Sequence, residues 1–100
     1  MLNAVRDYEL VLIAVPLLDD EGLAALNERV ANWIAAANGT VTKTSVWGRQ
    51  KLAYQIGKHT DGIYVQLDFQ LAPSASRGLE HNLRIEEQII RHLVVRLSED

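Results

Sequence analysis

Two aromatic rings and two cations crowd into Trp47-Gly48-Arg49-Gln50-Lys51-Leu52-Ala53-Tyr54-Gln55-Ile56. In an extended strand Leu52, Tyr54 and Ile56 share one face, while Arg49, Lys51, Ala53 and Gln55 share the other. Gly48 stands where a β-bulge or a close backbone approach is expected. A strand packed on one face and cationic on the other suits a surface that meets an anion. The same residues also suit an ordinary edge strand, where lysine and arginine discourage pairing with other chains.

The charge around this stretch is uneven. The chain of 100 residues carries a formal net charge of −3, which argues against non-specific nucleic-acid binding as a total. Residues 40–60, however, hold Lys43, Arg49, Lys51 and Lys58 and no acid. The other six cations are outnumbered by all 13 acids. Such asymmetry marks a local electrostatic footprint better than the sum does. Chance clustering on a hairpin is the competing account.

No catalytic set assembles. Cysteine is absent, which removes disulfides, thiolate metal sites and thiol nucleophiles. His59, His81 and His92 are scattered, with neither a metal-ligand spacing nor a nucleophile motif beside them. Gly48, Gly57 and Gly62 are isolated and form no phosphate-cradling loop. Asp19, Asp20 and Glu21 are explained by helix capping. The expectation is a protein that is not an enzyme, with no metal, cofactor or small-molecule substrate.

The elements that must position the cationic stretch are legible in order. Residues 1–5 read as a loose start. Residues 10–15 are apolar on both parities and are closed by Pro16, as in a central strand. Asp19 or Asp20 caps a helix whose apolar face carries Leu23, Leu26, Val30, Trp33 or Ile34, and Ala37. Asn38-Gly39 stops it, with the glycine expected in the left-handed conformation. A second strand runs from Val41 through Gly48 to near Ile56, and residues 57–62 form a hairpin loop rich in turn formers.

Ile63, Val65, Leu67, Phe69 and Leu71 then alternate with Tyr64, Gln66, Asp68 and Gln70, which marks a strand with one packed and one polar face. Pro73-Ser74 opens a second helix with Ala75, Leu79 and Leu83 at intervals of four. Leu93-Val94-Val95 centres a last strand, and Ser98-Glu99-Asp100 is an acidic end. No apolar run is long enough to span a membrane, and no signal peptide is visible, so a reducing cytoplasm is the expected location.

The order strand, helix, strand, strand, helix, strand predicts an α+β fold over residues 1–100. It is a ferredoxin-like βαββαβ sandwich, a four-stranded antiparallel sheet with two helices on one face. The first and third strands are central. The fold alone decides nothing about function. Tyr64 is the lone aromatic expected on the open face of the central strands, so base stacking there is poorly supported.

The residues resemble the bacterial small-subunit ribosomal protein S six family from end to end. The resemblance rests on Tyr8-Glu9-Leu10, Pro16, Gly39, and Trp47-Gly48-Arg49-x-Lys51-Leu52-Ala53-Tyr54-x-Ile56. It continues through Lys58, Gly62-Ile63-Tyr64, Leu83-Arg84-Ile85 and Ile90-Arg91-x-Leu93-Val94-Val95-Arg96. Gln50 stands where many members carry a second cation, and Gln55 where proline or a charge is frequent. The resemblance implies a structural role in the small subunit. It also implies binding to small-subunit ribosomal RNA together with ribosomal protein S eighteen.

On that reading Arg6, Lys43, Arg49, Lys51 and Lys58 are the candidate phosphate contacts. Trp47, Tyr54, Tyr64 and Arg91 are candidate contacts to RNA or to the protein partner. Two helices cover only one face of the sheet, so Val11, Ile13, Val15 and Leu93 are expected to form an open apolar patch for that partner. A small-ligand regulatory domain that dimerises through its sheet is the alternative from another class.

Overall fold

The computed structural model describes residues 4–97. The acidic end and the first three residues of the expected loose start lie outside that range. The elements are β1 (Arg6–Ala14), α1 (Asp20–Ala36), β2 (Thr40–Ile56), β3 (His59–Leu71), α2 (Ser76–Ile85) and β4 (Ile89–Arg96), with a short 3-10 turn at Pro73–Ala75. The strands form one antiparallel sheet in the order β2-β3-β1-β4. This is the expected ferredoxin-like sandwich, with β1 and β3 central.

One side-chain parity makes the core. Leu10, Leu12 and Ala14 of β1 and Val65, Leu67 and Leu71 of β3 are fully buried against Leu26, Val30 and Ile34 of α1. Leu79 and Leu83 of α2 join the same cluster. Tyr8 and Phe69, opposite each other in register, stack with ring centroids 5.3 Å apart. Residues 63–71 therefore alternate because one face lies under the helices and the other does not. At the start of α1 the Asp19 carboxylate accepts the Gly22 N–H at 2.8 Å, so Asp19 rather than Asp20 is the cap. Arg29 ties α1 to the turn before β4, donating from Nε to Glu86 at 3.0 Å and from a terminal nitrogen to Gln88 at 3.0 Å.

The end of α1 departs from the expected form. Asn38, not Gly39, holds the left-handed conformation, at φ 66. The Asn38 N–H is donated to Ala35 O at 2.9 Å and the Gly39 N–H to Ile34 O at 2.8 Å, the paired bonds of a Schellman cap. Gly39 is required for room. A Cβ there would lie 2.5 Å from Gln70 O and 2.8 Å from both Ile34 Cγ2 and Leu71 Cδ1.

The β2–β3 connection is also shorter than a loop over residues 57–62. Ile56 pairs with His59 across a two-residue turn, Gly57-Lys58. Gly57 has φ 59, the positive value that such turns need at their first central position. Gly62 is a strand residue. A Cβ on it would meet Ile13 Cγ2 at 2.4 Å, so glycine allows β3 and β1 to approach there.

Candidate RNA and partner interface

The face of β2 is decided at Gly48. Up to Val46 the register places Thr44 and Val46 beside Leu67 and Val65, on the parity of the core. Between Val46 and Gly48 one extra residue enters β2, and Gly48 has φ 96. This bulge reverses the parity of everything after it. Gly48 now lies opposite Tyr64, Arg49 opposite Ile63 and Lys51 opposite Asp61. Arg49 and Lys51 thus take the helix-side parity, whereas Gln50, Leu52 and Tyr54 turn toward the uncovered face of the sheet.

The bulge builds an aromatic step on that face. The Trp47 and Tyr64 rings lie parallel within 1°, with centroids 6.2 Å apart, and Trp47 remains about half exposed. Leu52 is buried, but in a cleft shared with Ile13, Tyr64 and Arg91 rather than in the main core. Tyr54 is exposed. Its hydroxyl accepts a hydrogen bond from Arg91 at 2.8 Å, and the Arg91 guanidinium lies 5.6 Å from its ring centroid. Regular pairing to β3 lapses between Lys51 and Ile56, and this segment of β2 bends over the open face far enough for Tyr54 to reach β4. Leu52, Tyr54 and Ile56 were expected to pack together. Leu52 alone of the three is buried, and it packs on the face opposite the helices.

The five candidate phosphate contacts do not form one patch. Arg49 donates to Pro16 O at 2.6 Å and lies 3.9 Å from Asp61, so part of its hydrogen-bonding capacity is already used. Lys51 is exposed and forms no ion pair among the described residues, and Lys58 is exposed at the hairpin tip. Lys43 points to the open face opposite Asp68, whose carboxylate accepts from Gln66 at 3.1 Å. Arg6 sits beside Leu71, at the other end of β3 from the hairpin tip. At about 3.3 Å per residue that separates it from Lys58 by roughly 40 Å. Its Nε is buried without a partner among the described residues. Arg49, Lys51 and Lys58 are brought to one projecting hairpin, and Arg6 is not.

The apolar patch takes the following form. Val11 and Leu93 are adjacent in register, as are Ile13 and Arg91. Val11 and Ile13 are half-buried, and Leu93 is 61% exposed. Val94, on the opposite parity to Leu93, packs against the core. Val15 lies past the end of β1, half-buried, with its N–H donated to Gln88 O at 3.0 Å. The reading of the sequence missed Val95, which is 40% exposed and shares the parity of Leu93. Spacing by two was the available signal. His92 stands 3.7 Å from Glu80, and no group of residues able to hold a metal occurs among the described residues. No described helix is long and apolar enough to cross a membrane.

Comparison with known proteins gives one consistent answer. Residues 7–96 match the family model described as ribosomal protein S6. The chain is 38% identical over 96 residues to small ribosomal subunit protein bS6 of Dehalococcoides mccartyi strain CBDB1, covering 96% of this chain and 88% of that protein. With bS6 of Salinispora arenicola the identity is 41% over 92 residues, covering 92% and 96%. Among solved structures, the crystal structure of 30S ribosomal protein S6 from Thermotoga maritima superposes with a TM-score of 0.87. It is 30% identical in sequence and covers 94% of this chain and 89% of that one.

Proposed function

This chain belongs to the ribosomal protein S6 family, and from that premise we propose that it is a structural, non-enzymatic component of the small ribosomal subunit in the cytoplasm. It binds small-subunit ribosomal RNA together with ribosomal protein S eighteen. The RNA meets the β2–β3 hairpin, and the protein partner meets the open face of the sheet. The observation that carries the reading is the pair of exposed lysines on the hairpin. Lys51 and Lys58 project from it without ion pairs among the described residues, within a stretch that holds no acid from residue 40 to residue 60. A surface of that kind exchanges condensed counterions for phosphate. Exposed Leu93 and Val95, with half-buried Val11 and Ile13, support the second half of the reading, because contiguous exposed aliphatics commonly mark a protein contact.

The test is a salt titration of binding to the RNA site, with the protein partner present throughout. Lys51→Gln keeps most of the side-chain length and discards the charge. The log–log salt slope should shrink by roughly 0.7–0.9 for that one cation. Folding should change by less than about 0.5 kcal/mol, as at most exposed sites. Equal slopes for wild type, Lys51→Gln and Lys58→Gln would reject the hairpin as a phosphate contact. The lysines would then act only to keep an edge strand from pairing, which predicts a more aggregation-prone variant.

A further inference from the structure

The cap that ends α1 has a chemical property unrelated to RNA. Asn38 is exposed and is followed by Gly39, which carries no side chain of its own to hinder attack by its backbone nitrogen. No other asparagine of the chain precedes a glycine. An Asn-Gly pair of this kind is the chemical setting for imide formation. In the folded chain, however, the nitrogen that must attack is occupied, since the Gly39 N–H is donated to Ile34 O at 2.8 Å. The glycine is also wedged against Gln70 O, Ile34 and Leu71, so it cannot swing free without leaving the end of β3.

We propose that Asn38 is a site of spontaneous deamidation held closed by the fold, reacting only from molecules in which the α1 cap has come away from β3. In the reaction the Gly39 nitrogen loses its proton and bonds to Cγ of Asn38. The Cγ–Nδ2 bond breaks, and the side-chain amide leaves as ammonia after taking up a proton. Water then opens the five-membered imide at either of its carbonyls, giving aspartate or isoaspartate. Nothing is oxidised or reduced, and water is the sole co-reactant.

The two products differ in consequence. Aspartate keeps the backbone path and adds a negative charge at the C-terminal end of α1, where the helix dipole disfavours it. Isoaspartate inserts a methylene into the main chain between the two residues of the cap. The Gly39–Ile34 bond then loses its spacing, and the start of β2, which pairs Thr40 with Gln70, loses its anchor. The first residues of β2, 40–46, are the segment that detaches.

The full chain is incubated at one mildly alkaline pH, folded in buffer and unfolded in guanidinium chloride, and the conversion at Asn38 is followed by peptide mass mapping. The unfolded chain should react faster by on the order of tenfold or more, because capped termini open with free energies between zero and global unfolding. The same ratio should equal the protection factor of the Gly39 amide in hydrogen exchange. A ratio far below that protection factor, or equal rates in both states, places the attack in the capped state and overturns the gating. No conversion in the unfolded chain removes the site. Asn38→Asp should retain wild-type exchange over residues 40–46, whereas the isolated isoaspartate form should exchange faster there. Equal exchange in the two forms overturns the detachment of β2.

Discussion

Asn38 and Gly39 divide two demands between them. Asn38 takes the left-handed backbone, at φ 66, which asparagine tolerates better than most residues. Gly39 supplies the absence of a side chain against Gln70 O. The two positions should therefore respond differently to the same replacement. Gly39→Ala should lose about 1–3 kcal/mol through overpacking. Asn38→Ala should lose about 1–2 kcal/mol through strain in the left-handed region, and Asn38→Gly should be close to neutral. Denaturant melts of the three variants check the order, and a neutral Gly39→Ala would mean that the cap stands off the sheet. The Asn-Gly pair was legible as a stop signal, but which residue bends and which one fits depends on Leu71 and Gln70, more than 30 positions away. Gly62 behaves similarly. Among the turn formers of residues 57–62 it looks like part of a loop, and only the approach of Ile13 explains it as a strand residue.

At the scale of elements, the packed face follows the alternation of residues 63–71 and the spacing of Leu26, Val30 and Ile34. All of these residues on the buried parity are at most 7% exposed. Leu67→Ala should then cost about 2–5 kcal/mol, with Val30→Ala somewhat less, because partial collapse cannot refill a closed layer. Losses below about 0.5 kcal/mol at both sites, read by urea titration, would contradict the assignment of this face. α1 and residues 63–71 of β3 could be read from the sequence because each keeps one period throughout. β2 keeps no single period. The extra residue beside Gly48 exchanges its two faces halfway, so a reading at constant parity sends Tyr54 inward when it lies outside. Gly48 announced a bulge, and the sign of its effect needed the partner strand. The reach of Tyr54 to Arg91 had no sequence signal, since the two residues meet only once β2 bends across two intervening strands.

For the whole molecule, two helices on one face of a four-stranded sheet leave the other face to a partner or to water. Ile13 lies in the middle of that face, beside Tyr64 on one flank and Arg91 on the other. Ile13→Ser should weaken binding of the protein partner and remove the hydrogen-exchange protection that the partner confers on β4. Undiminished affinity in a folded variant would take the open face out of the interface.

The strand order carries a further consequence, for the timing of synthesis. β1 is hydrogen-bonded to β3 and β4 and not to β2, the strand that follows it in the chain. While the chain emerges from the N-terminus, the apolar run of β1 has α1 to lean on but no strand to pair with until β3 ends at Leu71. From Leu71 to Arg96 it waits again with one edge bare, for roughly one to five seconds at ordinary elongation rates. Chains released after residue 57 should accordingly show helix but no sheet by far-UV circular dichroism. Chains released after residue 72 should show sheet and associate through the bare edge of β1. A chain that holds β3 and lacks β4 thus exposes one full pairing edge of its central strand.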